Sequence, residues 1–185
     1  MPAGFALFDT PVGRCGVAWA ENGIVGVQLP QQNDSQTRTR LQQRSLVDIA
    51  ESVPPASVMQ AIGAMTRLLN GERIDLSHIQ LDMGQVKDFN RGVYDIARKI
   101  PAGETLTYGD IAKRLGGVQL SRDVGQALGQ NPFPIVVPCH RVLAAGGKPG
   151  GFSANGGVKT KLKMLEIEGT VVNHTPSLFD DLPAA

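Results

Sequence analysis

The segment PIVVPCHRV, residues 134–142, places a cysteine between a proline and a histidine, directly after a short apolar run. Residues 135–137 are β-branched, which predicts a buried strand or extended segment that ends just before Cys139. The prolines on either side of this run can neither donate a ladder hydrogen bond nor continue a helix. His140 follows, and a base near a thiol favours the nucleophilic thiolate. The segment therefore predicts either a cysteine nucleophile or, since free cysteines are often buried, a small core residue.

The length and composition are those of a globular protein with a packed core. The chain has 185 residues, of which 42% are hydrophobic and 19% charged, and this length suits one ordinary domain or two small ones. No apolar run approaches the ~20 residues that span a bilayer, and residues 1–13 lack the pattern of a secretory signal. The two cysteines, Cys15 and Cys139, do not make a disulfide framework, so a reduced, cytoplasmic location is expected.

The net charge of +1 hides an asymmetry between the two halves of the chain. Residues 86–170 contain 12 Lys and Arg against 7 Asp and Glu, whereas residues 1–85 contain 6 against 8. Positive charge is thus concentrated in the half that carries Cys139, which favours a polyanionic partner. An ordinary solvated surface could carry the same excess of positive charge, so the charge alone does not show that a polyanionic partner binds there.

The first half predicts a supporting domain, residues 1–84. Three strand-like runs within residues 1–30, separated by turn sequences, predict an antiparallel meander. The polar residues 31–56 predict a linker that contains at most one short helix, from 39 to 52. Beyond it, apolar residues at helical spacing predict one helix, and residues 79–83 predict one more strand.

The second half, residues 85–170, is expected to be mostly helical. Its apolar spacing and turn residues predict three helices, over 89–97, 108–115 and 122–128, the last two capped by Thr107 and Ser121. Asp110 completes a capping box with Thr107. The last two helices, joined by a Gly-containing loop, suggest a helix-turn-helix-like (winged-helix-like) element, although helix pairs in ordinary cores look the same. The expected fold class is therefore α+β, followed by a disordered tail over 171–185.

Several motifs of the second half resemble the O6-alkylguanine-DNA alkyltransferases, also called methylated-DNA–protein-cysteine methyltransferases. The similarity covers roughly residues 86–170. It rests on IPAGETLTYGDIA (100–112), SRDVGQAL (121–128), NP (131–132), PCHRV (138–142), GGFS (150–153) and a closing helix within 157–169. The resemblance implies direct DNA repair: irreversible transfer of an alkyl group from O6 of guanine, and less so from O4 of thymine, in duplex DNA. The acceptor would be Cys139, after the nucleotide is flipped out.

The resemblance also implies roles for individual residues. Cys139 would be the nucleophile, His140 its base acting through a water molecule, and Glu166 the carboxylate that orients His140. Asn131 would tie the turn around the cysteine, and Tyr108 would help rotate the nucleotide. The implied DNA contacts are Tyr108, Arg122, Gly125, Ala127 and Arg141, and the implied base pocket is Val142, Gly150, Gly151, Phe152 and Ser153.

The implied partner is double-stranded DNA containing O6-alkylguanine, bound by a monomer. No cofactor is expected for a single transfer to sulfur, and no metal site is predicted, since His78 is a lone candidate ligand. Asp123 departs from a DNA-binding pattern because its charge lies beside Arg122. Two other functions remain open: a cysteine hydrolase with a Cys-His-Glu site, which would need an oxyanion hole, and a non-catalytic binder of alkylated DNA.

Overall fold

The chain begins with a three-stranded antiparallel sheet. The computed structural model describes residues 2–45 and 49–172. Its first strands, β1 (Gly4–Thr10), β2 (Gly13–Ala20) and β3 (Gly23–Gln28), pair in the order β1-β2-β3. The predicted meander is therefore confirmed.

Residues 79–83 run beside β3 without forming a strand. The Ile24 N–H donates to the Gln80 carbonyl oxygen at 3.0 Å, and the only ladder pairing among the described residues here is one bridge between Ile24 and Leu81. Gly23, with a φ of 136°, permits this approach, since a Cβ there would lie 2.7 Å from the Gln80 oxygen. The strand predicted for this segment is wrong, because its pairing stops after one bridge.

Helix α1 (Asp34–Ser45) occupies much of the segment that was predicted to be a linker. It begins earlier than predicted because Asn33 Oδ1 accepts a hydrogen bond from the Gln36 N–H at 2.9 Å and caps it. Its buried residues recur every four positions: Thr37, Leu41 and Ser45. Only Leu41 among them is apolar, and one apolar side chain is too weak a pattern to reveal a helix.

A single hydrophobic cluster joins the two halves of the chain. Helices α2 (Ala56–Leu69) and α3 (Asp88–Ala97) form where helical spacing predicted them. The cluster includes Val17 of β2, Met65 of α2 and Val93 of α3. The division into domains at residues 84 and 85 stays a prediction, because the core is continuous across it.

The predicted helix pair is formed by α4 (Tyr108–Leu115) and α5 (Ser121–Gly129), with a short 3-10 turn between them. The capping box is confirmed: Thr107 Oγ1 accepts from the Asp110 N–H at 3.1 Å, and Asp110 Oδ2 accepts from the Thr107 N–H at 2.8 Å. The cap predicted for Ser121 is wrong. Leu120 holds the N-cap position, and Ser121 Oγ donates to the Val118 carbonyl oxygen at 2.6 Å within the 3-10 turn.

A second, parallel strand pair connects the helix pair to the segment after the cysteine. Strand β4 (Leu106–Thr107) pairs with β5 (Val142–Leu143), and helix α6 (Val158–Ile167) closes the fold. The architecture is α+β, as predicted. Among the described residues, no helix combines the length and the apolar character needed to cross a membrane. The predicted tail, 171–185, lies outside the described residues from 173 onward.

Candidate active site

A turn over residues 131–138, organised by Asn131, carries the cysteine. Asn131 Nδ2 donates to the Val137 carbonyl oxygen, and its Oδ1 accepts from the Phe133 N–H, both at 2.9 Å. The asparagine is only 4% exposed. Both ends of its amide are therefore used to hold the turn, as the resemblance implied.

The apolar run inside this turn is buried but not extended. Ile135 has a φ of 76°, a conformation that β-branched residues avoid. The Val137 N–H donates to the Phe133 carbonyl oxygen at 2.8 Å and closes the turn. The strand predicted for residues 135–137 is therefore wrong, because the bonds made by Asn131 override β propensity. Strain of this kind persists only where the surroundings enforce it, and it is often found at functional sites.

Cys139 begins a 3-10 turn (Cys139–Arg141) and is 9% exposed. Burial raises the pKa of its thiol, while the Asn131 side chain and the charge of Lys161 lower it. The resting form is therefore the thiol, and the site needs a base. The pocket that Cys139 lines is completed by Gln28, Leu29, Gln31, Arg40, Arg44, Leu128, Asn131, Pro134, Phe152, Ser153 and Ala154.

His140 is fully buried and has the geometry of a general base. Its Nε2 lies 2.8 Å from Glu168 Oε1, and its Nδ1 has no hydrogen-bond partner among the described residues. With the Nε2–H donating to the carboxylate, Nδ1 is the unprotonated nitrogen. Burial lowers the pKa of His140, although the Glu168 carboxylate acts in the opposite direction. A neutral imidazole with an open acceptor can take the proton of a thiol.

Glu168 is the carboxylate that holds the histidine. Its oxygens also accept from Arg141 Nη2 at 2.7 Å and from Arg141 Nε at 2.9 Å. Burial alone would raise the pKa of Glu168, but the hydrogen bonds from His140 and Arg141 lower it to about 2. The carboxylate is therefore ionised behind the imidazole.

The role predicted for Glu166 is wrong. Its side chain is 75% exposed and contacts Lys163 Nζ at 3.3 Å. Two positions along a helix correspond to about 200° of rotation, so Glu166 and Glu168 point in nearly opposite directions. The buried face of this segment is marked by Lys161, Leu165 and Glu168, at the i, i+4, i+7 spacing of a core-facing stripe. That spacing, read from the sequence, would have selected Glu168.

The DNA contact predicted for Arg141 is also wrong. Arg141 is 6% exposed, and besides Glu168 it binds the Ile100 carbonyl oxygen through Nη1 at 2.6 Å. A buried guanidinium needs such partners. Arg141 therefore acts inside the protein, where it neutralises the carboxylate that holds His140.

Lys161 is a site residue that the sequence interpretation missed. Its buried Nζ donates to the Val142 carbonyl oxygen at 2.7 Å and, at 3.4 Å, to that of Gly151. It also lies 5.8 Å from the Tyr108 ring centroid and 6.0 Å from that of Phe152. Burial lowers the pKa of Lys161 to about 8, while the neighbouring cysteine acts against that shift. The lysine joins β5 to the glycine-rich loop.

The residues of the predicted base pocket lie around this lysine. Val142 takes part through its carbonyl oxygen, which accepts from Lys161 Nζ at 2.7 Å. Gly150 has a φ of 70° and packs against Tyr108, since a Cβ would lie 2.9 Å from Tyr108 Oη. Phe152 and Ser153 line the Cys139 pocket. Burial raises the pKa of Tyr108, which keeps its hydroxyl a donor.

The helix pair exposes only part of the predicted DNA surface. Arg122 and Asp123 are exposed in the first turn of α5, and nothing lies within 4 Å of a Cβ built at Gly125. Ala127 is 1% exposed, and its carbonyl oxygen accepts from Tyr94 Oη at 2.8 Å. The prediction that Ala127 faces DNA is therefore wrong, because this position belongs to the core side of α5.

Within the described ranges, no group of three or more His, Cys, Asp or Glu side chains is placed to hold a metal ion. The fold and the site together define a protein with an activatable cysteine nucleophile in a helical domain that contains a helix-turn-helix-like pair. The candidate catalytic groups in this domain are the thiol of Cys139, the imidazole of His140 and the buried carboxylate of Glu168.

Comparison with known proteins shows which family this chain belongs to. Residues 88–170 match the family described as "6-O-methylguanine DNA methyltransferase, DNA binding domain". The methylated-DNA–protein-cysteine methyltransferase of Methanothermobacter thermautotrophicus is 34% identical over 159 residues, which cover 86% of this chain and 81% of that protein. The chain therefore belongs to the methylated-DNA–protein-cysteine methyltransferase family.

Solved structures agree with this assignment. The Mycobacterium tuberculosis protein OGT in complex with DNA is 30% identical and superposes with a TM-score of 0.68, covering 89% of this chain and 91% of that one. The O6-methylguanine-DNA methyltransferase of Pyrococcus kodakaraensis is 28% identical with a TM-score of 0.70, covering 90% and 99%.

Proposed function

We propose that this protein repairs duplex DNA directly, by transferring an alkyl group, chiefly methyl, from O6 of guanine to Sγ of Cys139. The observation that carries this proposal is that Cys139 lines a pocket and is followed directly in the chain by His140, whose imidazole is held by the buried Glu168. Cys139, His140 and Glu168 all lie in the segment, 88–170, that matches the family's DNA-binding domain. The similar M. tuberculosis protein was solved in complex with DNA. Duplex DNA that contains O6-alkylguanine is therefore the proposed partner.

Activation of the thiol is the first step of the proposed mechanism. Nδ1 of His140 is the acceptor that remains open on the imidazole, and it would receive the thiol proton through a bridging water molecule. Glu168 then stabilises the imidazolium and keeps its orientation. The raised pKa of the thiol makes this step necessary.

The second step is a displacement at the alkyl carbon. The S–C bond forms as the C–O6 bond breaks, and the electron pair leaves with the guanine, which the imidazolium proton neutralises. Ser153 Oγ would donate to O6 and Tyr108 Oη to guanine N3, and both donors make the base a better leaving group. The products are unmodified guanine and a thioether on Cys139.

The alkylated base has to leave the duplex before this chemistry can occur. Extrusion of a nucleotide costs a few kcal/mol. Arg122 is exposed at the start of α5 and would fill the gap that the nucleotide leaves, entering from the minor groove. Tyr108 would support the rotated nucleotide near the pocket.

Excess DNA containing O6-methylguanine is expected to add the mass of one methyl group to each protein molecule, on Cys139. No second transfer follows, because a thioether offers water no leaving group at neutral pH. Intact-mass spectrometry and peptide mapping check this. Cys139→Ala should gain no mass and still bind the methylated duplex.

Three results would contradict this proposal. Steady release of product beyond one turnover would indicate a cysteine hydrolase, and a wild-type protein that binds but gains no methyl would be a non-catalytic binder. Methylation of Cys139→Ala would place the acceptor elsewhere.

Arg122→Ala is expected to weaken binding to a duplex with O6-methylguanine about tenfold. Its rate with the free base O6-methylguanine should stay unchanged, because a free base needs no extrusion. Fluorescence anisotropy and single-turnover rates measure the two effects. Arg67→Ala is the matched control, since Arg67 is exposed on α2 and paired with Glu72 at 2.6 Å. A similar loss in the control, or a slower reaction with the free base, would contradict the role of Arg122.

A further inference from the structure

The pocket of Cys139 has a positively charged wall that comes from the N-terminal half of the chain. Arg40 and Arg44 of α1 both line this pocket, although they lie outside the matched DNA-binding domain, 88–170. Four positions apart, they share one face of the helix. Two guanidinium groups therefore border the pocket of the nucleophile, and the steps proposed for methyl transfer do not use them.

Neither Arg40 nor Arg44 forms an ion pair with a carboxylate within residues 2–45 and 49–172. The contrast with Arg38 on the same helix is clear, because Arg38 binds Glu51 through hydrogen bonds of 2.9 and 3.3 Å. Arg44 is partly buried, and burial lowers its pKa. A partly buried guanidinium is costly until an anion joins it. The guanidinium groups of Arg40 and Arg44 are thus available to bind a negatively charged group in the pocket.

The course of the reaction identifies which negative group can reach this wall. The carbon that Cys139 attacks must touch the sulfur, so any further atoms of the alkyl group extend into the space around the sulfur. Arg40 and Arg44 line that same space. In the proposed complex the duplex backbone lies against the helix pair, and its phosphates stay there. The alkyl substituent is therefore better placed than a phosphate to meet the two arginines.

We propose that Arg40 and Arg44 adapt this site to guanines whose O6-alkyl group carries a carboxylate, with carboxymethyl as the simplest case. This inference rests on the proposed alkyl transfer and names a substrate class for it. A carboxylate beside a thiolate suffers repulsion and desolvation, and a bidentate guanidinium offsets both. Arg44, the more buried of the two, holds the carboxylate, and the exposed Arg40 stands nearer the solvent.

The chemical step forms and breaks the same kinds of bond as methyl transfer does. The bond from sulfur to the methylene carbon forms, the bond from that carbon to O6 breaks, and the electron pair leaves with the guanine. The carboxylate is carried over unchanged. The product on the protein is an S-carboxymethyl group at Cys139.

The test compares three duplexes of one sequence that carry O6-methyl-, O6-carboxymethyl- or O6-carbamoylmethylguanine. The carbamoylmethyl group has the shape of carboxymethyl without its charge. Single-turnover rates over a range of protein concentrations give a second-order constant for each. The wild-type protein is expected to favour carboxymethyl over carbamoylmethyl. Arg44→Gln should lower the carboxymethyl constant about tenfold, the scale of one charge-assisted hydrogen bond, and leave the other two unchanged.

Two further variants separate charge from folding. Arg44→Lys keeps the charge and should retain most of the preference, and Arg38→Gln on the same helix should leave all three constants unchanged. An equal loss for all three duplexes in Arg44→Gln would assign the arginine to phosphate or thiolate and overturn the inference. A wild-type preference for carbamoylmethyl would overturn it too. Failure of the proposed function is distinguishable, because wild-type protein would then transfer no methyl group.

Discussion

Glu168→Gln is expected to destabilise the protein by about 3–5 kcal/mol, the usual cost of removing one partner of a buried ion pair. Glutamine keeps the shape of the side chain but leaves the guanidinium of Arg141 buried without an anion. It also removes the charge that stabilises the imidazolium of His140, so transfer should slow by at least about tenfold. Urea unfolding and single-turnover transfer measure the two effects.

Glu166→Gln is the matched control for this variant. Glu166 differs from Glu168 by two positions, and its side chain is 75% exposed. Its replacement should change the unfolding free energy by no more than about 0.5 kcal/mol and leave the transfer rate unaltered. A damaging Glu166→Gln beside a harmless Glu168→Gln would show that the carboxylate had been assigned to the wrong position.

The stability effect of Glu168 should also depend on pH. Its pKa is lowered from 4.5 to about 2 in the folded protein, so the folded state binds fewer protons than the unfolded state between these values. The contribution of Glu168 is therefore complete above pH 4.5 and is lost as the pH falls toward 2. The difference in unfolding free energy between wild type and Glu168→Gln should shrink across this range.

Asn131→Ala is the second change with a large expected effect, about 2–4 kcal/mol of unfolding free energy. It leaves the Phe133 N–H and the Val137 carbonyl oxygen without their partners, and each unpaired buried group costs about 1–3 kcal/mol. The strained backbone of Ile135 would then relax and displace Cys139. Transfer to the thiol should therefore fall more steeply than the binding of methylated DNA.

Asn90→Ala provides the comparison for this loss. Asn90 is half-buried, and its Nδ2 donates to Gln130 Oε1 at 3.1 Å in a bond that is exposed to solvent, so its removal should cost about 0.5–1.5 kcal/mol, less than the loss of Asn131. Chemical denaturation measures both variants, and a thiol-reactive probe reports on Cys139. Wild-type stability and reactivity in Asn131→Ala would show that the turn is held by other contacts.

The features that the sequence predicted correctly are mostly local. The capping box of Thr107 and Asp110 needs only residues three positions apart, and the meander needs only its turns. Helix α1 was predicted only in part, as a short helix over 39–52, because Leu41 is the one apolar residue among its buried positions. The turn around Ile135 was predicted as a strand because its shape depends on the side chain of Asn131, which lies outside the apolar run.

The site residues show the same difference between local features, which were predicted, and features that depend on distant residues. The positions of Cys139 and His140 were evident from their adjacency and from the family resemblance. The choice of Glu168 over Glu166 depended on knowing which face of α6 is buried, because a shift of two residues moves a carboxylate from the core to the solvent. The burial of Arg141 could not be predicted without its partners, Glu168 and the Ile100 carbonyl oxygen, which lie far from it in the sequence. Arg40 and Arg44 enter the pocket from another half of the chain, so no local pattern could have revealed them.

The short parallel pair of β4 and β5 has a mechanical consequence. It joins the residue that caps α4 to the strand directly after Cys139–Arg141, so the helix pair and the turn that carries the sulfur are connected through one strand pair. In the proposed complex, this connection sets the distance between the DNA backbone bound by the helix pair and Sγ of Cys139. In the proposed reaction, the movement that brings the alkyl carbon to the sulfur is then made mainly by the flipped nucleotide.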